Sequence, residues 1–242
     1  TFTASQGLLL MIPNMYKMAG EMLPGVIHVA ARSLATHALS IFGDHQDIYA
    51  TKATGFCILA SASVEDAQNL AAVAHLSAIK GSLPFLHFFD GFRTSHELNT
   101  IEEIPEDKLL SLVDHKAINE FRKRALNVGH KVQYGMAQNE DIYFQCMEAR
   151  NPYYEKIPDI VNEYMQKINE IMHTDYKPFS YYGAKNAKKI IVAMGSVTDT
   201  IKEVVDVLEI VGLITVHLYR PFSSKYFLNA LPPTAEKIAV LD

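Results

Sequence analysis

The stretch that decides the fold is residues 57–91, CILASASVEDAQNLAAVAHLSAIKGSLPFLHFFDG. Its first four residues form an apolar run of the kind that makes a short buried strand. Ser63 then stands as a helix cap with Asp66 three positions on, and apolar residues follow at helical spacing. Residues 83–89 predict the next strand. A strand, a helix and a strand in this order predict a right-handed parallel crossover, and therefore an α/β fold.

The same kinds of signal continue on both sides of this unit. Upstream, residues 7–23 predict a helix that Pro13 bends, and residues 26–31 predict another short buried strand. Downstream, residues 104–127 and 158–172 have a helical and more charged pattern, which is typical of helices that cover a sheet.

We expect two domains. Residues 1–173 are predicted to form a parallel-sheet domain, residues 174–187 a linker rich in turn residues, and residues 188–242 a smaller α/β domain. The second domain is predicted to contain a strand, an amphipathic helix, a strand, a short helix and a buried final strand, at residues 190–194, 197–209, 212–219, 224–231 and 237–242. Because a strand seldom ends a domain, we expect the chain to be an internal piece of a longer protein.

Composition excludes several classes of function. The chain has 242 residues, enough for a full core, with 27 acidic and 22 basic side chains and no basic cluster. This charge pattern argues against a nucleic-acid partner. Cys57 and Cys146 are too few and too far apart for a disulfide framework or a cluster-binding motif, which indicates a reducing compartment. The apolar run at residues 8–12 is too short to span a bilayer, so no membrane anchor or signal peptide is predicted.

Three common signatures are absent from the sequence. It has no Gly-x-Gly-x-x-Gly after a strand, no Gly-x-x-x-x-Gly-Lys-Ser/Thr and no Gly-x-Ser-x-Gly. Dinucleotide-binding, P-loop and hydrolase functions therefore lack their phosphate cradle or nucleophile elbow. The ten histidines show no pair at i, i+4 with a third ligand nearby, so no metal site is predicted.

Arg32 is the most informative charged residue. It directly follows the predicted strand 26–31, where its guanidinium could receive a small carboxylate in two parallel hydrogen bonds. The alternative is a structural arginine that pairs with Asp44 or Asp47. The sequence alone favours the two interpretations equally.

Four other polar segments also have two interpretations each. Residues 43–47 are read as a polar loop rather than a site for a hard cation. Residues 90–97 follow a predicted parallel strand and form either a ligand-binding loop or a salt-bridged turn. Residues 3–7 and 195–196 offer donors for an anion at the start of a helix, or simply cap that helix.

Four runs of the sequence carry a family resemblance: TFTASQGLLLMIPNMYKMAGE (1–21), HVAARSLATHALSIFGDHQDIYA (28–50), PFLHFFDGFRTSHE (84–97) and LYRPFSSKYFLNALP (218–232). These runs closely resemble the pyruvate:ferredoxin (flavodoxin) oxidoreductases, which are large single-chain iron–sulfur enzymes. The runs are long and specific, and the resemblance covers essentially all 242 residues.

The resemblance implies an oxidoreductase that uses thiamine diphosphate, magnesium, 4Fe-4S clusters and coenzyme A. Such an enzyme converts pyruvate to acetyl-CoA and carbon dioxide while it reduces ferredoxin or flavodoxin. It also implies a homodimer in the cytoplasm, or in an anaerobic organelle of a eukaryote. The implied fold is an incomplete parallel-sheet domain of the pyrimidine-binding type found in thiamine enzymes. A smaller α/β domain that resembles the transketolase C-terminal domain follows it.

The resemblance places one family site residue in this chain, the arginine that clamps the substrate, at Arg32. The threonine that helps to hold pyruvate and the glutamate that activates the aminopyrimidine are implied before Thr1. The diphosphate and magnesium site, the coenzyme A site and the cluster cysteines are implied after Asp242. We therefore expect the isolated fragment to be inactive. The alternative function is a non-catalytic subunit or scaffold that offers an interface to a separate catalytic chain.

One segment departs from the family pattern. Residues 206–213 lead from a predicted helix into a predicted strand with almost no turn, whereas the family usually has a few more residues there. Because this reversal normally takes a short loop, we expect the helix to fray by a turn or the second domain to be locally strained.

Overall fold

The computed structural model describes residues 1–133, 136–208 and 210–241. In chain order, the elements up to residue 172 are β1 (Phe2–Thr3), α1 (Gln6–Leu10), α2 (Ile12–Gly20), β2 (Val26–Ala31), α3 (Gln46–Thr51), β3 (Cys57–Ala60), α4 (Val64–Gly81), β4 (Phe85–Asp90), α5 (Arg93–His96), α6 (Glu106–Ser111), α7 (His115–Arg124), α8 (Glu140–Glu148) and α9 (Asn151–Met172). The remaining elements are β5 (Phe179–Gly183), β6 (Lys189–Ala193), α10 (Val197–Leu208), β7 (Val211–Val216), β8 (Leu218–Arg220), α11 (Ser224–Ala230) and β9 (Lys237–Val240).

The first sheet has the strand order β1-β2-β4-β3-β8. Its first four strands run parallel, and β8 pairs with β3 in the antiparallel direction. The unit β3-α4-β4 is the crossover predicted from residues 57–91, and the Ser63 hydroxyl caps α4 by accepting from the Asp66 backbone N–H at 3.1 Å. The predicted α/β fold is confirmed.

Both faces of the first sheet are covered. On one face, α4 and α9 bury apolar side chains such as Leu70, Val73 and Val161 against the strands. On the other face, α1, α2 and α3 share a core with the second sheet, in which Phe88 of β4 packs in the same cluster as Ile190 of β6. Most apolar side chains of β2, β3 and β4 are buried, which explains why these strands read as apolar runs.

The second sheet has the order β5-β7-β6-β9 and is mixed, since only β5 is antiparallel to its neighbour. The segment predicted as a linker, residues 174–187, contains β5, which pairs with β7 along its whole length. The turn residues of this segment therefore flank a strand. The division of the chain into two domains stays a prediction.

The strand predicted over residues 212–219 belongs to two sheets, so its prediction as a single strand is wrong. β7 lies in the second sheet, and β8 crosses to the first sheet to pair with β3. The change occurs at His217, where the backbone N–H groups of His217 and Leu218 both bond to the carbonyl of Pro178. Because an uninterrupted apolar run fits the interior of either sheet, the sequence does not show where the chain changes sheet.

Two helix and strand ends also differ from the prediction. The helix predicted from Pro158 begins at Asn151, because the buried face around Ile157 and Val161 outweighs the hydrogen bond that Pro158 cannot donate. The final strand, predicted to be buried, is an edge strand next to β6 in which Ile238 is 48% and Val240 68% exposed.

The departure at residues 206–213 lies partly outside the described residues, because it includes Glu209. α10 is described as far as Leu208, and β7 begins at Val211. The expected fraying or strain stays a prediction. The predicted ends at residues 209 and 242 also lie outside the described residues. Among the described helices, none is long and apolar enough to cross a membrane.

Three histidines form a hydrogen-bonded chain between the first sheet and α4. The Nδ1 atoms of His28 on β2 and His87 on β4 are 2.9 Å apart. Nε2 of His28 lies 3.1 Å from Nε2 of His75 on α4, and Nε2 of His87 lies 2.7 Å from the Ser61 hydroxyl. That hydroxyl donates to the Asp66 carbonyl. Its remaining role is that of acceptor, so each neutral ring donates one hydrogen bond along the chain, in the direction of Ser61.

Candidate functional site

The candidate site lies at the carboxyl edge of the first sheet. Since β1, β2, β4 and β3 are parallel neighbours, their last residues share this edge. The loops that follow these strands carry Ser5, Arg32, Gly91 and Ser61. Ligands of open α/β sheets bind outside the carboxyl ends of the strands. This edge is therefore where binding groups are expected to converge.

Arg32 is half-buried at this edge, directly after β2. Its Nε atom is buried and has no hydrogen-bond partner among the described residues, where its guanidinium also forms no ion pair. The carboxylates of Asp44 and Asp47 bond to backbone N–H groups instead. The structure therefore does not bring about the ion pair with Asp44 or Asp47 that is the structural alternative for Arg32.

Two glycines, Gly43 and Gly91, lie close to Arg32. A Cβ atom on Gly91 would lie 2.4 Å from Arg32 Cγ and 2.7 Å from the Ala31 carbonyl oxygen. The backbones of Gly43 and Arg32 form an isolated antiparallel β-bridge, and a Cβ atom on Gly43 would lie 2.8 Å from the Gly91 carbonyl oxygen. Since real Cβ atoms do not approach backbone this closely, a larger residue at either position would displace the stem of Arg32 or the strand ends beside it.

Asp47 joins the loops after β1 and β2. Its side chain is completely buried, and its Oδ2 atom accepts from the backbone N–H of Ser5 at 2.8 Å and of Arg32 at 3.2 Å. Oδ1 accepts from the backbone N–H of Ile48 at 2.8 Å. Burial raises the pKa of Asp47 above its ordinary value, and these three N–H donors oppose the rise.

Asp90 joins the two sheets at the same edge. Its Oδ1 atom lies 2.8 Å from Nε2 of His45, and its Oδ2 atom accepts from the backbone N–H of Ser196, after β6, at 2.6 Å. Gly195 has φ +76°, and a Cβ atom there would lie 2.9 Å from Asp90 Oδ1, so this approach requires glycine. Burial opposes ionisation of Asp90, but the hydrogen bonds from His45 and Ser196 outweigh it and hold its pKa below the ordinary value.

An aromatic pair stands beside the two glycines. Phe42 and Phe92, the neighbours of Gly43 and Gly91, have ring centroids 5.3 Å apart, and both rings are exposed. Phe92 has φ +66°, a conformation that is strained for a bulky residue, and its backbone N–H donates to the Ser95 hydroxyl at 2.8 Å. The loop after β4 is therefore a strained turn that presents an apolar ring at the carboxyl edge.

A cleft of about 1030 Å³ lies at the opposite edge of the sheet, before β3. Its lining includes Lys52, Thr54, Tyr154 and Arg220, and it does not include Arg32. Across residues 1–133, 136–208 and 210–241, no group of three or more His, Cys, Asp or Glu side chains is arranged to hold a metal ion.

The family comparison agrees with this architecture. The model of the pyruvate flavodoxin/ferredoxin oxidoreductase family that describes its thiamine diphosphate-binding domain matches residues 1–166. The chain belongs to this family.

Relatives from several organisms match the whole chain. It is 56% identical over 246 aligned positions both to the pyruvate-flavodoxin oxidoreductase of Klebsiella pneumoniae and to the pyruvate:ferredoxin oxidoreductase of Moorella thermoacetica. Each alignment covers 100% of this chain and 21% of the relative, so the chain spans about a fifth of the length of these relatives. It is also 49% identical to the mitochondrial NADP⁺ pyruvate dehydrogenase of Euglena gracilis, covering 14% of that protein.

The fold is also present in a solved structure, that of the 2-oxoglutarate:ferredoxin oxidoreductase from Magnetococcus marinus, with a TM-score of 0.63 at 16% sequence identity. The match covers 99% of this chain and 45% of that one. At this level of identity the likeness concerns the fold.

In the oxidoreductase fold, polar segments that are distant in the sequence lie next to each other. Of the predicted segments, residues 43–47 and 90–97 meet residues 195–196 through Asp90, and residues 3–7 meet Arg32 through Asp47. The Ser5 hydroxyl does not cap α1; it donates to the Ser33 carbonyl across the same edge. Sequence reasoning misses the role of Asp47, because two of its three N–H donors, Ser5 and Arg32, lie in loops far from it in the sequence and leave no local motif.

Proposed function

We propose that this chain is the part of a thiamine diphosphate-dependent pyruvate:ferredoxin/flavodoxin oxidoreductase that holds the substrate carboxylate through Arg32. The whole enzyme oxidatively decarboxylates pyruvate in the presence of coenzyme A, giving acetyl-CoA, carbon dioxide and reduced ferredoxin or flavodoxin. Membership of the family supports this activity. The magnesium ion, the 4Fe-4S clusters, the coenzyme A site and the contacts of a homodimer belong, in this proposal, mainly to parts of the enzyme outside the chain.

The observation that carries the proposal is the buried Nε atom of Arg32, which has no hydrogen-bond partner in the part of the chain that the structure describes. A buried donor without a partner is costly, and a bound carboxylate would satisfy Nε together with one terminal nitrogen in a two-bond fork. Charge-assisted hydrogen bonds contribute about 1.5–3 kcal/mol each. Two such bonds, at about 1.4 kcal/mol per tenfold, correspond to at least a hundredfold in affinity.

The residues at the carboxyl edge fit an anionic substrate next to the cofactor. Thiamine diphosphate, when bound, supplies an electron sink at the C2 carbon of the 2-oxo acid. The part of the work that falls to this chain is to orient the acid. Arg32 fixes the carboxylate, Gly91 allows its side chain to lie close against the strand end, and Gly43 allows the neighbouring loop to lie close to the Gly91 carbonyl. The diphosphate and the catalytic glutamate are assigned to residues outside the chain.

In this proposal, other parts of the enzyme select the electron acceptor. Relatives named for flavodoxin, for ferredoxin and for NADP⁺ all share this region at 49–56% identity. A region common to three acceptor classes does not select among them. The proposed compartment is the cytoplasm, or an anaerobic organelle in a eukaryote, in keeping with the free thiols of Cys57 and Cys146.

Substitution of Arg32 in the full-length enzyme tests the proposal. We expect Arg32→Ala to lower kcat/KM for pyruvate by at least about a hundredfold, as worked out above. Arg122→Ala, which removes an exposed arginine of α7, is the matched control and should leave kcat/KM unchanged. Wild-type constants for Arg32→Ala would refute the role of Arg32. A full-length protein without cluster ligands or pyruvate turnover would favour the scaffold function.

A further inference from the structure

We infer that Asp47 is a positioning residue for substrate binding, which acts by holding the backbone of Arg32 in register with the loop after β1. This inference rests on the proposed function, because it concerns how Arg32 meets the carboxylate. Asp47 itself is completely buried, and its carboxylate accepts from backbone N–H groups.

The geometry of Asp47 is that of a clamp across two neighbouring strands. β1 and β2 are paired, and each ends in a loop whose first residues must give up the hydrogen bonding of the sheet. A single oxygen, Asp47 Oδ2, receives the N–H of Ser5 from one loop and of Arg32 from the other. The second oxygen binds Ile48, which fixes the carboxylate to α3. The Ser5 hydroxyl adds a parallel link to Ser33 at 2.8 Å.

The Asp47 carboxylate bonds to the backbone of Arg32 and not to its guanidinium, so it does not occupy the donors that would bind the substrate. If Asp47 paired with the guanidinium, it would compete with the substrate for the same donors. By accepting from the backbone N–H of Arg32, it fixes where the side chain starts and leaves its donors available. On the other side, Gly91 fixes the path of the stem. Backbone clamp and glycine contact together limit the positions of the guanidinium before substrate arrives.

Two substitutions separate this role from simple packing. Asp47→Leu has nearly the same shape but no acceptor, so the N–H groups of Ser5 and Arg32 lose their partner. Asp47→Asn can turn its amide so that one oxygen still serves both N–H groups and only Ile48 loses its bond. We expect Asp47→Leu to raise KM for pyruvate by about tenfold or more with a smaller change in kcat, since misplacement by about 1 Å costs up to a hundredfold. We expect Asp47→Asn to restore most of the loss.

A double-mutant cycle in the full-length enzyme decides whether Asp47 acts through Arg32. In the Arg32→Ala background, Asp47→Leu should lower kcat/KM for pyruvate no further. Asp66→Leu is the matched control, because Asp66 accepts from the backbone N–H of Ala62 in the loop after β3 and does not touch Arg32. It should lower the melting temperature without raising KM for pyruvate.

The inference is overturned if Asp47→Leu has the wild-type KM, or if its effect is equally large with and without Arg32. If Arg32→Ala alone leaves kcat/KM unchanged, the proposed function fails instead, so the two failures are distinguishable. If Asp47→Leu does not yield folded enzyme, Asp47→Ser replaces it in the same cycle, because one hydroxyl cannot serve the three N–H groups. The same two outcomes then decide.

Discussion

The histidine chain between the first sheet and α4 predicts how the stability of the protein depends on pH. His87 is fully buried, and burial, together with its neighbour His28, lowers its pKa from 6.5 to about 3. Burial, together with His75, lowers the pKa of His28 to about 4. Each ring accepts and donates one hydrogen bond as a neutral group, so protonation would remove an acceptor from the chain.

The direction of this pH dependence follows from the linkage between proton binding and folding. As the pH falls below 6.5, a histidine in the unfolded chain takes up a proton while His87 in the folded chain stays neutral, so unfolding becomes more favourable. The stabilisation is complete above pH 6.5 and is lost toward the folded-state values of about 4 and about 3. At about pH 5 the difference of roughly 1.5 pH units corresponds to about 2 kcal/mol for His87 alone. His28 acts in the same direction.

Urea unfolding of the 242-residue chain at about pH 7.5 and about pH 5 measures this loss. His87→Gln should reduce the loss between the two pH values by about 2 kcal/mol, whatever it does to stability at neutral pH. Ser61→Ala is the control, because it removes a hydrogen-bond partner of His87 but no titrating group; it should lower stability by a similar amount at both pH values. The reasoning is refuted if His87→Gln shows the wild-type pH dependence.

Three further results are expected. Gly91→Ala should lower kcat/KM for pyruvate in the full-length enzyme by about a hundredfold, because the new Cβ atom would lie 2.4 Å from Arg32 Cγ. Gly20→Ala is the control and should leave kcat/KM unchanged, because the atom nearest to its Cβ would lie 3.7 Å away. Arg32→Lys keeps the charge but not the two-bond fork, so its kcat/KM should lie between those of the wild type and Arg32→Ala. Ser63→Ala removes the cap of α4 and should lower the free energy of unfolding by about 1 kcal/mol in urea titrations, with an unchanged pyruvate KM; unchanged stability would contradict the capping role.

The parts of the fold that the sequence predicts are those with local causes. The strand at residues 57–60 and the cap at Ser63 depend on neighbouring residues, and both lie where the sequence predicts them. The division of residues 212–219 between two sheets depends on the Pro178 carbonyl, which is distant in the chain and leaves no mark on the apolar run. Burial of residues 237–242 is predicted from an apolar run without polar alternation, and that pattern does not report what packs on an edge strand.

The candidate site divides in the same way. Arg32 and the loop at residues 90–97 are identified by their position after apolar strands, which is a local property. The link from Asp90 to Ser196 joins residues 106 positions apart. Such a contact has no local signature. It follows only from the arrangement of the two sheets.

The passage of the chain from β7 to β8 limits how this protein can be cut or recombined. A truncated chain that starts at residue 188 would remove β5 from its sheet and carry β8 without the strand it pairs with. A truncated chain that ends at residue 173 would leave β3 as a bare edge, open to association with other chains. Exchange of modules between relatives should therefore succeed only when both sheets are inherited together.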